Sequence, residues 1–370
     1  MRRILWMVAV LALVAAACGG DGDDGGDGEA LACGVGETDG DLVLYNWTEY
    51  IDPTLIDDFE AEYGVAVIED FFPNNEELFA KVDAGAAGYD VAVPSDYMVS
   101  IMADEGLLME LDKDAIPNIE NLAPEFTSVP YDEGNVYSVP YQWGTTGIAV
   151  DLEVVGEDFD ESWALIFDPA AAGIEPVPTS VLNDTREVLG AALRYLGYSL
   201  NTTDQAELDE ASQLLANATD TITVFDSDQY EDLLIEGTTA IAHGYSGDFF
   251  AAFDGASTDE FDAYERYYYF VPEEGGVRWV DNMVVLADAP SPCTAHTFIN
   301  FMLEPENGAT LTNWNYYGSP NAAAEEFILP EILEDPSIYP TEETLANLEF
   351  LADTGDFEVQ YEDAFTRARG

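Results

Sequence analysis

Short apolar runs alternate with amphipathic segments along most of the chain. The first run, residues 42–45, is predicted to be a buried strand. A helix should follow at once, because Asp52 can cap it, Pro53 suits its first position and Gly64 can end it. The alternation continues with strands predicted at 65–68 and 89–94 and helices at 76–84 and 97–104. The pattern therefore predicts an α/β protein.

The chain is predicted to cross twice between two lobes. A glycine-flanked extended segment near residue 145 leads into a second region, and the apolar strand 278–286 returns from it. That region should contain helices at 185–197, 205–217 and 227–236 and strands near 222–225, 239–243 and 267–271. We therefore predict one lobe from 42–144 and 279–322, and a second lobe from 145–278 and 323–370. The two lobes should be joined by a hinge of two chain crossings, with a ligand cleft between them.

The N-terminus has the features of a secretory signal. Arg2 and Arg3 precede an apolar run that ends at Cys18 and is short for a membrane span. Small residues directly before that cysteine are typical of a bacterial lipoprotein processing site, which predicts a signal peptide at 1–17 and a lipid on Cys18. Residues 18–41 are rich in Gly and Asp and are predicted to be a flexible tether that anchors the body at the extracytoplasmic face of the membrane.

The composition is strongly acidic. The chain has 75 Asp and Glu against 10 Lys and Arg, for a formal net charge of −65, and lysine occurs only at Lys81 and Lys113. A field of this sign repels nucleic acid, which is excluded as a partner, and concentrates cationic solutes. Adaptation to a salty habitat would produce the same surface, and we favour that explanation for most of the charge because a binding site needs only a few carboxylates.

Two cysteines are left once Cys18 carries a lipid. Cys33 and Cys293 can then pair in an oxidising exterior. One precedes the first strand and the other begins the helix after the returning strand, so both belong to the first lobe. A zinc site is not expected, because two cysteines and two histidines lie far apart in the sequence. No phosphate loop or dinucleotide motif is found, so no cofactor is expected.

Aromatic and acidic residues collect at predicted strand ends, where α/β proteins bind ligands. The segment 45–50 combines rings, a hydroxyl and a carboxylate, which suits a ligand with apolar carbon and positive charge. A strand end whose rings pack under the first helix would explain this segment equally well. Asp184 and Glu187 begin a helix, where a capping box alone would explain them. Trp279 and Asp281 share one strand face, and a buried carboxylate is costly without a partner. We therefore consider Asp281 the strongest single candidate.

Five short motifs carry a resemblance to a known family. They are Asn46–Tyr50, Val93–Tyr97, Arg186–Val188, Tyr245–Asp248 and Trp279–Asp281. In this order, from about residue 42 to the C-terminus, the chain resembles the polyamine-binding (spermidine/putrescine) proteins of bacterial ABC importers. The resemblance implies a two-lobed periplasmic-binding-protein fold, type II-like, a polyamine ligand, an ABC permease as partner, a monomer and no catalysis.

The resemblance also implies a set of ligand contacts. The carboxylates would come from Glu49, Asp184, Glu187 and Asp281, the polar contacts from Thr48 and Ser95, and the aromatic walls from Trp47, Tyr50, Tyr97, Tyr245, Trp279 and Tyr317. Some positions differ within the family. Asp248 resembles the residue of putrescine-type members, and Asp184 resembles the residue of spermidine-type members. Leu351 stands where spermidine-type members have Gln, and Tyr245 stands where the family usually has Trp. The preferred polyamine is therefore left open.

Two other functions are compatible with these residues. A receptor for an oligosaccharide would also stack its ligand on aromatic rings, although it needs no cluster of carboxylates. A secreted glycoside hydrolase could use two of Asp184, Glu187 and Asp281, given a suitable separation. Binding without turnover would distinguish a receptor from an enzyme.

Overall fold

A computed structural model describes residues 32–85 and 87–370, and residues 33–370 form one compact unit. The predicted signal peptide, the lipid site at Cys18 and most of the predicted tether lie outside the described residues. In the part that the structure describes, no helix is long and apolar enough to cross a membrane.

The described chain alternates strands and helices. The strands are β1 (Leu42–Asn46), β2 (Val67–Phe71), β3 (Val91–Ala92), β4 (Ser138–Asp151), β5 (Thr179–Val181), β6 (Ile222–Phe225), β7 (Ile241–Tyr245), β8 (Tyr267–Phe270) and β9 (Arg278–Val285). The α-helices are α1 (Pro53–Tyr63), α2 (Asn75–Asp83), α3 (Asp96–Asp104), α4 (Leu152–Val155), α5 (Ala164–Phe167), α6 (Thr185–Tyr195), α7 (Gln205–Ala218), α8 (Tyr230–Ile235), α9 (Ser246–Ala256), α10 (Pro292–Met302), α11 (Pro305–Asn315), α12 (Pro330–Leu333), α13 (Glu342–Leu345) and α14 (Glu358–Arg369).

All of these strands belong to one mixed sheet with the order β2-β1-β3-β9-β4-β7-β5-β6, and β8 pairs with β4. Strand β4 is the link between its two halves, because 138–145 pair with β9 whereas 146–151 pair with β7 and β8. Each half packs its own cluster of buried side chains, one around Leu44 and Phe59 and the other around Leu189 and Phe249. The two-lobed α/β architecture expected from the sequence is confirmed.

Local signals in the sequence place several elements correctly. Asp52 accepts a hydrogen bond from the backbone N–H of Thr54 at 2.8 Å, and Gly64 ends α1 in the left-handed region at φ 71°, as predicted. The prediction of a helix from residue 227 is wrong, because α8 begins only at Tyr230. The Asp226 carboxylate accepts bonds from the backbone N–H groups of residues 228 and 229 and holds them in a turn.

Two strands need comment against the sequence expectation. The extended segment near residue 145, predicted to lead into the second region, is the middle of the continuous strand β4. The short strand β5 was not predicted, since three residues give no measurable alternation.

The predicted disulfide is present. The Cα atoms of Cys33 and Cys293 are 5.3 Å apart and their sulfurs are bonded. Nearby, the Asp39 carboxylate accepts hydrogen bonds from the backbone N–H groups of Cys293 and Thr294 at 3.3 and 3.1 Å. The chain is therefore attached to the start of α10 from Cys33 onwards. The predicted tether, which was expected to extend to residue 41, is thus already bound to the body at residue 33.

Candidate functional site

The carboxyl ends of the parallel strands from both halves of the sheet face a common cavity of about 660 Å³. Strand β9 runs antiparallel to its neighbours and contributes side chains from its middle. All thirteen predicted contact residues line this cavity, namely Trp47, Thr48, Glu49, Tyr50, Ser95, Tyr97, Asp184, Glu187, Tyr245, Asp248, Trp279, Asp281 and Tyr317. Their role in binding is still a prediction, but the structure brings them together.

Asp281 is held in place by two hydroxyl groups. Ser95 donates to its Oδ1 and Tyr50 donates to its Oδ2, both at 2.7 Å, and the residue is 5% exposed. Burial raises the pKa of Asp281 to about 7, and the two hydrogen bonds oppose that shift. Burial raises the pKa of the neighbouring Asp96 to about 8, and the charge of Asp281 acts in the same direction. The carboxylate of Asp281 is therefore oriented by neutral groups, and no described residue gives it a positively charged partner.

Asp184 and Glu187 enter the cavity from the first turn of α6. Asp184 accepts hydrogen bonds from the backbone N–H groups of Arg186 and Glu187 at 2.9 and 3.0 Å, which confirms the predicted cap. Glu187 is 4% exposed, and its Oε2 has no hydrogen-bond partner in the part of the chain that the structure describes. Burial, followed by the charge of Asp184, raises the pKa of Glu187 well above its usual value. Capping therefore explains one carboxylate of this pair but not the other.

Arg186 lies between these two acids in the sequence, but its side chain is directed to the C-terminal helix. It forms an ion pair with Glu358, donates to Asn201 Oδ1 at 2.9 Å and lies over the ring of Tyr361 at 4.5 Å. Its charge lowers the pKa of Asp184, but burial has the larger effect and raises it. The guanidinium thus connects α6 to α14 and does not line the cavity.

Aromatic rings form connected walls around Asp281. Trp279 makes edge-to-face contacts with Tyr245 and Tyr317, at centroid distances of 5.8 and 5.1 Å, and Tyr317 contacts Tyr50 at 5.4 Å. Gly144 pairs with Trp279 across β4 and β9, and a Cβ there would come within 2.7 Å of the indole. Glycine at this position therefore allows the indole to lie directly against the β4 backbone.

Asp248 joins this aromatic wall at the end of β7. Its two oxygens accept hydrogen bonds from the hydroxyls of Tyr317 and Tyr230, each at 2.5 Å. Burial raises the pKa of Asp248, and the two tyrosine hydrogen bonds oppose the shift. Tyr317 and Asp248 belong to different predicted lobes, so this contact connects the two sides of the cavity.

The cavity also contains residues that the sequence interpretation missed. They are the acids Glu69, Asp96, Asp228, Glu231 and Asp232 and the aromatic residues Phe71, Phe72 and Trp314. Three of these acids follow β6, a strand that was predicted, so the rule that ligands bind at strand ends would have found them. Trp314 lies at the end of a helix, where no such rule applies. Leu351, noted as a variable position in the family, is in the lining as well.

The lining of the cavity is acidic. Among the described residues that form it, ten are Asp or Glu and none is Lys, Arg or His. Nor does the described part of the chain hold a group of three or more His, Cys, Asp or Glu side chains placed to bind a metal ion. Buried carboxylates without positive partners beside ring faces suit an organic cation with an apolar stem. A two-lobed fold with such a cavity defines a solute-binding protein.

Comparison with known proteins gives the family. Residues 54–341 match the model of the bacterial extracellular solute-binding proteins, and the chain belongs to this family. It is 37% identical over 315 residues to a putrescine/cadaverine-binding protein of Pseudomonas aeruginosa, covering 84% of this chain and 88% of that protein. It is 34% identical over 345 residues to a spermidine/putrescine-binding periplasmic protein of Salmonella typhimurium, covering 92% and 96%.

Solved structures agree with this assignment. The spermidine/putrescine ABC transporter substrate-binding protein PotD of Streptococcus pneumoniae has a TM-score of 0.74 and 35% identity, covering 90% of this chain and 99% of that one. The Tp0655 (TpPotD) lipoprotein of Treponema pallidum has a TM-score of 0.76 and 32% identity, covering 89% and 99%. The periplasmic-binding-protein fold inferred from the sequence is confirmed.

Proposed function

We propose that this protein binds polyamines such as putrescine and spermidine outside the cytoplasm and delivers them to an ABC permease, without catalysing a reaction. The observation that carries the proposal is the cavity lining, which combines aromatic rings with ten acids and, among the described residues, no basic side chain. The relatives named for putrescine and spermidine support the same ligand class.

The geometry of the carboxylates supports a set of proposed ligand contacts. Asp281 would bind one ammonium group, because its oxygens are oriented by Ser95 and Tyr50 and no basic side chain among the described residues pairs with it. Asp184 and Glu187 would bind another at the start of α6, where Glu187 Oε2 has no hydrogen bond. The methylene chain between the ammonium groups would lie against the rings that include Trp279.

Delivery requires a change that a permease can recognise. We propose hinge closure between lobes formed by 42–144 with 279–322 and by 145–278 with 323–370, since a ligand that contacts both sides stabilises the closed arrangement. We further propose that the protein acts as a monomer, anchored through a lipid on Cys18 at the cell envelope. The similar Treponema pallidum protein, named a lipoprotein, supports the anchor.

Calorimetric titration of the protein lacking its signal peptide tests this function. We expect one molecule of putrescine or spermidine to bind per protein and to be recovered unchanged. A neutral oligosaccharide should give no binding heat and no hydrolysis product. Binding of the oligosaccharide but of neither amine would favour the sugar receptor, and release of a reducing sugar would favour the hydrolase; either result would contradict the proposal.

A further inference from the structure

Gln142 is a buried amide of β4 that takes no part in the proposed ligand contacts. It is 1% exposed, it does not line the cavity, and it pairs across the sheet with Asp281 of β9. Residues directly opposite each other on antiparallel strands have their side chains on the same face of the sheet. Gln142 therefore lies behind the cavity wall, on the face that carries the Asp281 carboxylate.

Both ends of this amide are bonded to segments that carry predicted ligand contacts. Gln142 Nε2 donates to the backbone carbonyl of Tyr50 at 3.2 Å, and Gln142 Oε1 accepts from Asn315 Nδ2 at 2.7 Å. Asn315, the last residue of α11, is 4% exposed, and its Oδ1 accepts from the backbone N–H of Tyr317 at 3.3 Å. Because a buried amide is costly to leave unpaired, these bonds fix the backbone of both tyrosines relative to β4.

The two tyrosines hold acids that belong to different predicted lobes. Tyr50 donates to Asp281 Oδ2 at 2.7 Å, and Tyr317 donates to Asp248 Oδ1 at 2.5 Å. A continuous path of side chains and hydrogen bonds therefore crosses from one lobe to the other. In order, it contains Asp281, Tyr50, Gln142, Asn315, Tyr317 and Asp248.

The second lobe lies against the turn that Asn315 holds. A Cβ on Gly247, in the first turn of α9, would come within 2.5 Å of the Asn315 backbone oxygen and 2.6 Å of the Tyr317 ring. Tyr316 lies between these two residues at φ 61°, a left-handed conformation that a non-glycine residue adopts only when surrounding contacts maintain it. The start of α9 is therefore packed directly on the turn at 315–317.

The rings of Tyr50 and Tyr317 also touch, edge to face, at a centroid distance of 5.4 Å. That contact does not involve the backbone of either tyrosine, whereas the amides of Gln142 and Asn315 bond to it directly. A hydrogen-bonded network with an acid of the cavity at each end can carry a displacement from one acid to the other.

We propose that Gln142 and Asn315 are positioning residues that couple the binding of an ammonium group at Asp281 to the contact between the lobes at Asp248. The proposal rests on the proposed polyamine-binding function. An ammonium group that binds Asp281 shifts the hydroxyl of Tyr50, and the two amides then shift the turn at 315–317 against α9. Without the amides, the ligand should still bind Asp281 but close the lobes less fully.

Titration calorimetry with spermidine, on the protein without its signal peptide, tests this coupling. Gln142→Met keeps the length of the side chain and removes both of its hydrogen bonds. We expect spermidine to bind about tenfold more weakly, the size of an ordinary interaction between groups of one network. In the double variant with Tyr50→Phe, the affinity should stay within about twofold of Tyr50→Phe alone, because that change already cuts the path to Asp281.

Small-angle X-ray scattering measures closure separately from affinity. Saturating spermidine should reduce the radius of gyration of the unaltered protein, and it should reduce that of Gln142→Met by less. A role in stability alone would lower the melting temperature without changing the radius of the closed state. Asn315→Leu cuts the path at its other amide and should give the same weaker binding and smaller contraction, so either folded variant is sufficient.

The matched control is Asn282→Leu. Asn282 is the neighbour of Asp281 on β9, is fully buried and bonds to the Tyr131 hydroxyl and the Val280 carbonyl, outside the path. Its loss should lower the melting temperature but leave the spermidine affinity within about twofold. An unchanged affinity or a full contraction in the folded path variants, additive losses in the double variant, or an equal loss of affinity in the control would overturn the proposal. If the unaltered protein binds no spermidine or does not contract, the proposed function itself fails.

Discussion

Asp281 in the cavity and Asp70 on the edge strand β2 are the same chemical group in opposite surroundings. Asp70 is half exposed, accepts a hydrogen bond from Tyr89 and pairs with Lys81 at 2.9 Å. The Tyr89 hydrogen bond, followed by that of Lys81, lowers the pKa of Asp70 to about 2. Burial instead raises the pKa of Asp281 to about 7. Asp70, outside the cavity, has a cation within the protein, whereas Asp281, inside it, has none among the described residues.

The few basic residues reinforce this difference. Arg266 pairs with Asp151 at 2.7 Å, Arg194 with Glu349 at 2.5 Å, and these acids lie outside the cavity lining. A buried charge without a partner is costly, so a protein that keeps several of them in one cavity is stabilised when a cation arrives. The contrast therefore distinguishes the acids that we propose bind a ligand from the acids that pair with basic residues outside the cavity.

Replacing Asp281 should give the largest effect on binding. Asp281→Asn keeps the shape of the side chain but leaves the ligand's ammonium group without its buried counter-charge. Breaking such a pair costs about 3–5 kcal/mol, which corresponds to a loss of affinity of more than about a hundredfold. Calorimetric titration with putrescine and spermidine measures it.

Asp70→Asn is the matched control, because it removes the same charge from a residue that has its own cation. Its affinity for both amines should stay within about twofold of the unaltered protein. Equal affinities in Asp281→Asn and the unaltered protein would remove Asp281 from the site, and a large loss in Asp70→Asn would show that total charge rather than position determines binding.

The sequence predicts those parts of the site that depend on local signals. The cap at Asp184 and the stop at Gly64 involve groups only a few residues apart, and both are present as predicted. The disulfide between Cys33 and Cys293 was predicted from the two cysteines that remain if Cys18 carries a lipid, and it is present. The motif at 45–50 is recognisable because it joins a strand to a helix, which is where α/β proteins place their ligands.

Features that depend on distant packing were not predictable in the same way. Asp96 follows a helix cap, where an exposed acid is ordinary, yet it is 1% exposed because residues far along the chain cover it. Glu231 is in the first turn of a helix as well, and nothing nearby in the sequence shows that its Oε2 is buried. The burial that distinguishes these acids from surface acids arises from tertiary structure alone.

Truncating Trp279 should weaken binding less than removing Asp281. Trp279→Ala removes a cation–π interaction of about 0.5–2 kcal/mol, which corresponds to about twofold to thirtyfold in affinity, and some apolar contact in addition. Trp314→Ala is the control, because that ring is 37% exposed and lies at the same cavity. Titration should show the greater loss in Trp279→Ala; the reverse order would shift the main aromatic contact away from Asp281.

Lowering the pH should weaken polyamine binding by about tenfold between about pH 8 and pH 6, because Asp281 has a pKa of about 7 and must be ionised to attract an ammonium group. Titration in buffers with different heats of ionisation should also detect protons released on binding near pH 7. An affinity that does not change over this range would mean that the carboxylate is already ionised in the empty cavity.

The stability of the empty protein should follow the opposite trend. The pKa values of Asp281, Asp96 and Glu231 are raised to about 7, 8 and 8, above the usual values of about 4 for unfolded carboxyls. The folded state therefore holds these protons more tightly, so their contribution to stability is fully present below about pH 4 and is lost progressively as the pH rises from there through 7 to 8. The melting temperature without ligand should fall over that range, and added spermidine should reduce the fall.

Added salt should give the smallest effect on binding and a clear effect on the fold. With a net charge of −65, the outer surface repels itself, and ions shorten the range of that repulsion to about 10 Å at 0.1 M. We expect the melting temperature to rise with sodium chloride, while the affinity for spermidine falls only a few-fold because the carboxylates in the cavity are enclosed. The association rate should fall more than the dissociation rate changes, since long-range attraction comes from the exposed acids.

A melting temperature that falls steadily with salt would contradict a self-repelling surface. If the loss of affinity arose mainly from faster dissociation, the acids in the cavity would be as accessible to ions as those outside, and the contrast between Asp281 and Asp70 would not extend to binding.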